Sequence, residues 1–223
     1  MGFILNIDSS TETAFVTIAN NETIIGFAEN KIQKDHAEFL HPAIKNIMQD
    51  AGMTFQQLDA IAVTAGPGSY TGIRVGMATA KGLSFSLNKP LITINSLELL
   101  ARDAITQYPG KDNSLFCPMI DARRMEIYTA IYDSMGNEIL SPRAIVIEEN
   151  FYREYSTKLE LILFGSGAQK CKALLAFHEA AFIENVDTKQ SMSSLTHELF
   201  LRNSFADLIS SQPFYLKEFF NKQ

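Results

Sequence analysis

Residues 66–76 read GPGSYTGIRVG, the most informative stretch of this sequence. It follows a strand-like apolar run at 60–65 (AIAVTA) and leads into a helical run from Ile73 to Leu87. Four glycines in eleven residues predict a sharp turn that some other group approaches closely. A strand, a Gly/Ser/Thr loop and a helix N-terminus can also present N–H groups to an anion. The spacing fits neither a Walker loop, which needs GK[ST], nor a GxGxxG dinucleotide loop, whose third glycine is missing.

The composition is that of a soluble globular protein, with 46% hydrophobic and 20% charged residues in 223. The net charge of −6 and the lack of a Lys/Arg run give autonomous nucleic-acid binding little support. Cys117 and Cys171 belong to no CxxC pair, so no disulfide framework is indicated. The N-terminus has no basic region, polar Asn6 and Asp8 interrupt its apolar run, and no run is long enough to span a membrane. We therefore expect a cytoplasmic protein with no membrane contact.

The order of predicted elements repeats between the two halves of the chain. Each half begins with strands and continues as strand, glycine loop and helix, which predicts an internally duplicated α/β fold around a cleft. A polar stretch at 108–113 divides the subdomains, 1–107 and 108–223, and the last helix could pack back on the first half. Strands are predicted at 3–7, 13–19, 23–28, 60–65, 91–94, 114–120, 125–132, 143–147 and 161–164, and helices at 36–51, 71–87, 96–106, 168–177 and 193–210.

Two turns are candidates for a nucleotide cleft. The turn from Asp8 to Thr11 offers hydroxyls and N–H groups to a phosphate and a carboxylate to a hydrated cation. The same residues form self-stabilising Asx or Ser/Thr turns, so both interpretations stay open. A second glycine turn, at 165–167, could face the first one or be only a tight connection. The candidate nucleotide-binding residues are Asp8, Ser9, Ser10, Gly66, Gly68, Ser69, Gly165, Ser166 and Gly167.

No catalytic or metal site is predicted. His36 and His41 lie about 140° apart around a helix, whereas metal-binding pairs favour one face, and no third ligand is near in sequence. His178 and His197 are isolated, and there is no GxSxG or Cys–His signature.

Two other segments indicate contacts. The helix at 71–87 is apolar nearly all round, which fits either a central core helix or, as we favour, a helix that also packs on a partner subunit. Gly72 and Gly76, four residues apart on it, and Gly82 after them would let another backbone come close. Arg123 and Arg124 follow Asp121 at a turn, where ion pairing or an anion or interface contact would use them.

Six segments, in order along nearly the whole chain, resemble the bacterial TsaB (YeaZ) family: ILNIDSSTETAFVTI, GPGSYTGIRVGMATAKGLS, INSLELLA, IDARRMEIY, GSGA and PFYLK. The resemblance implies an actin/sugar-kinase/heat-shock-ATPase fold, with two duplicated α/β subdomains around a cleft. It also implies a non-catalytic subunit that supports the catalytic subunit TsaD, together with the ATPase TsaE. That machinery forms N6-threonylcarbamoyladenosine at position 37 of tRNAs that read ANN codons.

The catalytic paralogue carries a metal-binding segment of the form NHLEGH. Here the segment runs from Asn95 to Leu100, and Ser96 and Leu100 stand in the two histidine places. Leucine has no donor atom and a lone hydroxyl is a poor ligand, so metal-dependent transfer is not expected. The chain departs from the family at Lys217, commonly arginine, and at Tyr70, commonly phenylalanine.

The resemblance places the partner surface on the first two helices of the N-terminal half. It implies a homodimer when the protein is alone, tRNA contact mainly through the complex, and no required cofactor, with weak ATP or ADP binding in the cleft or only at the partner interface. The alternative function is an ATP-dependent kinase or ATPase of the same fold, although the chain is short for a sugar kinase and shows no catalytic base. The predicted interface residues are His36, Phe39, Leu40, Gly72, Ile73, Arg74, Gly76, Met77 and Ala80.

Overall fold

The computed structural model describes residues 2–32, 35–148, 152, 155, 159–172, 180–183 and 186–217. They form two compact units. The first contains the chain up to Leu99 together with Thr188–Phe214, and the second contains Leu100–Asp187 together with the residues from Tyr215 onward. The helix before Arg202 therefore belongs to the first unit.

The first unit contains a five-stranded mixed sheet in the order β3-β2-β1-β4-β5. Its first three strands pair antiparallel, and β4 and β5 continue the sheet in parallel from β1. The central strand β1 is buried along nearly its whole length, as its unbroken apolar run FIL predicts. The strands are β1 (Phe3–Asp8), β2 (Ala14–Asn20), β3 (Thr23–Asn30), β4 (Ala60–Gly66) and β5 (Leu91–Asn95).

The second unit repeats this topology. Its sheet has the order β10-β9-β6-β7-β8. β7 pairs antiparallel with β6 and β8, and β9 and β10 continue the sheet in parallel from β6. The predicted duplication is therefore confirmed. The short strand β10 is not among the predicted elements. The strands are β6 (Ser114–Asp121), β7 (Glu126–Tyr132), β8 (Glu138–Val146), β9 (Glu160–Phe164) and β10 (Ala180–Ile183).

Helices cover both faces of the first sheet. The apolar sides of α1 and α2 pack on one face with Val16, Ile18 and Val63, and α5 packs on the other with Ile4 and Ile94. In the described part of the chain, no helix is long and apolar enough to cross a bilayer. The helices are α1 (His36–Asp50), α2 (Tyr70–Leu87), α3 (Ser96–Gln107), α4 (Ala168–Lys172) and α5 (Lys189–Leu201).

The last helix is shorter than predicted. It ends at Leu201 rather than near residue 210, because Asn203 adopts a left-handed conformation (φ 53°) that a helix cannot continue through. The chain then runs back along the sheet, where the Ala206 N–H donates to the Leu91 carbonyl at 2.8 Å. The predicted helix at 168–177 is present to Lys172, and residues 173–177 lie outside the described part of the chain.

Candidate functional site

The glycine loop joins β4 to α2 through a turn that requires glycine at its start. Gly66 has a φ of +109°, and a Cβ there would lie 2.8 Å from the Phe214 carbonyl oxygen. Ser69 then caps α2, because its Oγ accepts a hydrogen bond from the Gly72 N–H at 3.3 Å. The predicted strand, loop and helix are thus present, and the helix begins at Tyr70, one residue before the predicted start at residue 71.

The turn after β1 packs directly on this loop. A Cβ at Gly68 would lie 2.0 Å from the Ser10 carbonyl oxygen, and one at Gly72 would lie 1.9 Å from that of Ser9. Two hydrogen bonds join the segments: the Ser69 N–H donates to the Ser10 carbonyl at 2.7 Å, and the Ser9 hydroxyl donates to the Gly72 carbonyl at 2.8 Å. The close approach that the glycines predicted is therefore made by the chain's own turn.

Asp8 is buried at the centre of this turn, with 4% of its surface exposed. Its Oδ1 accepts hydrogen bonds from the Ser10 N–H (2.9 Å), the Ser10 hydroxyl (2.7 Å) and the Thr64 hydroxyl (2.8 Å). Burial raises the pKa of Asp8 above its usual value, although these bonds and nearby His36 act in the opposite direction. The hydroxyl hydrogens of Ser9, Ser10 and Thr64 are all engaged within the chain, so the self-stabilising Asx turn is present.

His36 lies beside the same turn and His41 does not. The His36 Nε2 is 3.1 Å from the Thr11 carbonyl, and because a carbonyl only accepts, Nε2 carries the hydrogen. Its Nδ1 is buried and has no hydrogen-bond partner among the described residues, whereas His41 is exposed. The described residues contain no group of three or more His, Cys, Asp or Glu that could hold a metal ion.

The second glycine turn packs on its own unit in the same way. A Cβ at Gly165, whose φ is +94°, would lie 2.4 Å from the Met119 carbonyl oxygen, and one at Gly167 would lie 2.9 Å from Ile127. The Gly167 N–H donates to the Met119 carbonyl at 2.9 Å, and Ser166 Oγ accepts from the Asp121 N–H at 3.1 Å. The geometry is that of a tight connection from β9 to α4.

Most predicted interface residues lie in the core of the first unit. Arg74 is exposed and Phe39 is partly buried. A second helix cannot approach Gly72 and Gly76 as expected, because Ser9 fills that space; its Oγ would be 2.5 Å from a Cβ at Gly76. The buried members of the set are His36, Leu40, Gly72, Ile73, Gly76, Met77 and Ala80.

The opposite side of α2 faces solvent. Five exposed residues share one side of this helix, and we call them the α2 stripe: Thr71, Arg74, Ala78, Gly82 and Phe85. Phe85 is 79% exposed, and a Cβ at Gly82 would have no neighbour within 4 Å in the described part of the chain. The predicted interface residues did not include the last three residues of the stripe, although Gly82 was noted in the sequence as a place where another backbone could come close.

The segment in the place of the paralogue's histidines forms the start of α3. Asn95 caps this helix, with its Oδ1 accepting from the N–H groups of Leu97 (2.9 Å) and Glu98 (3.4 Å). Ser96 and Leu100 are buried one turn apart on one helical face, as metal-binding histidines would be. That face offers a hydroxyl and a hydrocarbon side chain, a donor set that does not suit a metal ion.

Comparisons with known proteins agree with this architecture. The family model for TsaD, tRNA N6-adenosine threonylcarbamoyltransferase, matches residues 14–200. The tRNA threonylcarbamoyladenosine biosynthesis protein TsaB of Bacillus subtilis is 37% identical over 129 residues, which make up 58% of this chain and 54% of that protein. TsaB of Buchnera aphidicola subsp. Schizaphis graminum is 30% identical over 174 residues, 76% of this chain and 80% of that protein.

A solved structure shows the same fold. YeaZ from Pseudomonas aeruginosa superposes with a TM-score of 0.81 at 24% identity, covering 97% of this chain and 100% of that one. The predicted duplicated α/β fold is confirmed. The chain spans about half the length of the Bacillus subtilis relative, so family membership and fold are what these matches establish. By the family model and its TsaB relatives, the chain belongs to the TsaB (YeaZ) family of tRNA threonylcarbamoyladenosine biosynthesis proteins.

Proposed function

We propose that this protein is a non-catalytic partner subunit in the synthesis of N6-threonylcarbamoyladenosine at position 37 of ANN-decoding tRNAs. It works in the cytoplasm, where it binds and supports a TsaD-like catalytic subunit together with a TsaE-like ATPase. The names of its relatives support the pathway. The α2 stripe is the observation that carries the partner role.

Gly82 is the informative residue of the stripe. Glycine inside an exposed helix destabilises the helix by roughly 1 kcal/mol relative to alanine. Gly68 and Gly72 have a reason within the chain, because Ser9 and Ser10 occupy the space of a side chain. Gly82 has no such neighbour, so its use is to let the backbone of another molecule come close.

The residues around Gly82 suit a helix–helix contact. Ala78 lies one turn before it, and its small side chain leaves room for a neighbouring helix. Phe85 follows on the same side with most of its ring exposed to solvent. At the start of the stripe, the Arg74 guanidinium stacks on the Tyr70 ring, 4.1 Å from its centroid. A helical surface with small residues, one arginine and one exposed aromatic side chain is the kind of patch that carries binding energy at an interface.

Two further observations support a role without catalysis. The hydroxyl hydrogens around Asp8 are donated within the chain, so they do not point at a substrate phosphate. Ser96 and Leu100 replace the pair of side chains that would hold a metal in the paralogue.

The experiment measures binding of the TsaD-like protein of the same organism to two matched variants. Phe85→Glu puts a charge on the α2 stripe, and Phe27→Glu puts the same charge on β3, where Phe27 is 58% exposed. We expect Phe85→Glu to weaken binding at least about tenfold, because burying an unpaired carboxylate is costly, and Phe27→Glu to bind like the wild type. Equal binding by all three proteins, with unchanged melting curves, would show that the α2 stripe is not the interface.

The same stripe accounts for the homodimer expected of the protein alone. Sedimentation of the lone protein should then show a dimer that Phe85→Glu, and not Phe27→Glu, converts to monomer. Addition of the TsaD-like partner should also dissociate the wild-type dimer, because the homodimer and the complex with the partner would both use the α2 stripe. A dimer that Phe85→Glu leaves intact would place self-association elsewhere.

The kinase or ATPase alternative is tested on the lone protein. We propose weak ATP or ADP binding, in the predicted cleft or only at the partner interface, with no cofactor required. Titration calorimetry with ATP and magnesium, followed by a phosphate-release assay, distinguishes the two functions. Tight binding with turnover by the protein alone would favour the enzyme.

A further inference from the structure

The hairpin between β6 and β7 has an unusual backbone at its tip. Arg123 and Arg124 both lie in the left-handed region, with φ values of 64° and 53°. Residues other than glycine seldom adopt this conformation even once, and here two arginines do so in succession. Such a backbone persists only where its surroundings hold it.

Lys170 holds the hairpin from one side. This residue of α4 directs its Nζ to the Asp121 carboxylate and donates to the Arg124 carbonyl at 2.7 Å. Asp121 in turn accepts the Arg123 N–H at 2.6 Å. Lys170 therefore neutralises the Asp121 carboxylate and holds the backbone of Arg124 in place.

Lys217 makes the same two kinds of contact from the other side. Its Nζ donates to the Ala122 carbonyl at 3.0 Å and forms an ion pair with Glu126, and it lies 5.7 Å from the centre of the Tyr128 ring. Each lysine thus binds one carboxylate and one backbone carbonyl of the hairpin. Two such supports keep the left-handed tip in a fixed shape.

The arrangement leaves the arginine side chains uncompensated. Both carboxylates of the turn are paired with lysines, and no ion pair or hydrogen bond of the Arg123 or Arg124 guanidinium is present among the described residues. Both arginines are exposed. Four cations therefore surround two carboxylates at this tip, on a chain whose net charge is −6.

We propose that Arg123 and Arg124 contact the phosphate backbone of the tRNA in the assembled complex, which rests on the proposed function. A guanidinium presents a planar fork of donors that matches two phosphate oxygens, and a fixed backbone lowers the entropy lost on binding. Adjacent cations also suit the regular row of charges along a nucleic-acid strand. An acidic protein that meets RNA needs such a local basic contact, because its overall field repels the strand.

The test uses the assembled complex and an unmodified transcript of an ANN-decoding tRNA. Arg123→Gln/Arg124→Gln removes both guanidinium groups. The matched control, Lys31→Gln/Arg202→Gln, removes two charges from residues 76% and 70% exposed in the first unit, each beside its own glutamate. Binding is measured by fluorescence anisotropy over a series of salt concentrations.

We expect the arginine variant to bind tRNA about tenfold or more weakly at low salt. The slope of log affinity against log salt should fall by about 1 to 2, one phosphate contact for each arginine. The control should bind like the wild type. Arg123→Lys/Arg124→Lys should keep the salt slope and lose part of the affinity, because lysine retains charge without the bidentate fork.

Three results would count against this assignment, and they are distinguishable. If the wild-type complex does not form, the proposed function fails and the assignment falls with it. If the complex forms and modifies tRNA but the arginine variant binds tRNA like the wild type, only the assignment is wrong. If the variant folds but fails to assemble with its partners, the hairpin contacts a protein rather than RNA.

Discussion

Asp8 and Asp121 hold the same position in two units of one topology, but their surroundings differ. Each ends the first strand of its sheet, and each carboxylate accepts the N–H two residues on, from Ser10 at 2.9 Å and from Arg123 at 2.6 Å. Asp8 is buried and bonded to hydroxyls, whereas the Asp121 side chain is 36% exposed and paired with Lys170. The backbone motif is thus shared between the two halves, and the environment of the carboxylate is not.

The difference shows how one supersecondary motif serves two purposes. In the first unit, Gly68 and Gly72 let the β1 turn pack closely against α2, and the polar groups of the turn are satisfied within the unit. In the second unit, Lys170 and Lys217 hold the hairpin outside the core and present its arginines. One turn is buried within its unit, and the other exposes two arginine side chains to solvent.

The largest expected effect comes from closing the space between the β1 turn and α2. Gly72→Ala would place a Cβ 1.9 Å from a backbone oxygen that cannot move away alone, so we expect a loss of more than about 3 kcal/mol in the free energy of unfolding. Gly82→Ala, in the same helix with open space around it, should instead gain roughly 1 kcal/mol. Urea denaturation measures both.

Gly165→Ala extends the comparison to the second unit. Its left-handed φ and the Met119 oxygen 2.4 Å from the Cβ position predict a loss as large as that of Gly72→Ala. If Gly72→Ala were as stable as the wild type while Gly165→Ala unfolded, only the second glycine turn would depend on close packing.

The sequence predicted the elements better than the contacts between them. Alternating and apolar runs located the strands, and the glycines marked both loops, because these signals are local. Nothing local says that Ser9 would fill the space beside Gly72, sixty-three residues away. Arginine likewise gives no sign of a left-handed backbone, so the shape of the tip at Arg123 and Arg124 was not predictable.

The next largest effect is the pH dependence that Asp8 gives to the free energy of unfolding. Burial raises the pKa of Asp8 in the folded protein, so the folded state holds its proton more tightly than the unfolded state does. The contribution of Asp8 to the free energy of unfolding is therefore greatest below about pH 3.8, and it falls as the pH rises through the higher pKa of the folded protein. Asp8→Asn keeps an acceptor oxygen for the three donors and has no proton to lose.

We expect the stability of Asp8→Asn relative to the wild type to increase as the pH rises from 4 to 8, as measured by denaturation at each pH. Asp121→Asn is the matched variant, and it should lose up to about 1 kcal/mol at neutral pH, because it removes a partly exposed ion pair. Added salt should diminish that loss. An Asp8→Asn protein whose stability relative to the wild type is the same at every pH would show that the buried carboxylate carries no such penalty.

The smallest effects concern the lysines that distinguish the second unit. Lys170→Met and Lys217→Met should each lower the free energy of unfolding by about 1 kcal/mol, since each loses a partly exposed ion pair and a bond to a backbone carbonyl.

Lys111→Met is the control, because Lys111 pairs with Glu160 at 2.8 Å on the same unit and touches no part of the hairpin tip. It should lose less than either, and the difference isolates the carbonyl bonds that hold the left-handed backbone. Equal losses in all three variants would mean that the lysines act only as ion pairs, and that Arg123 and Arg124 keep their conformation without them.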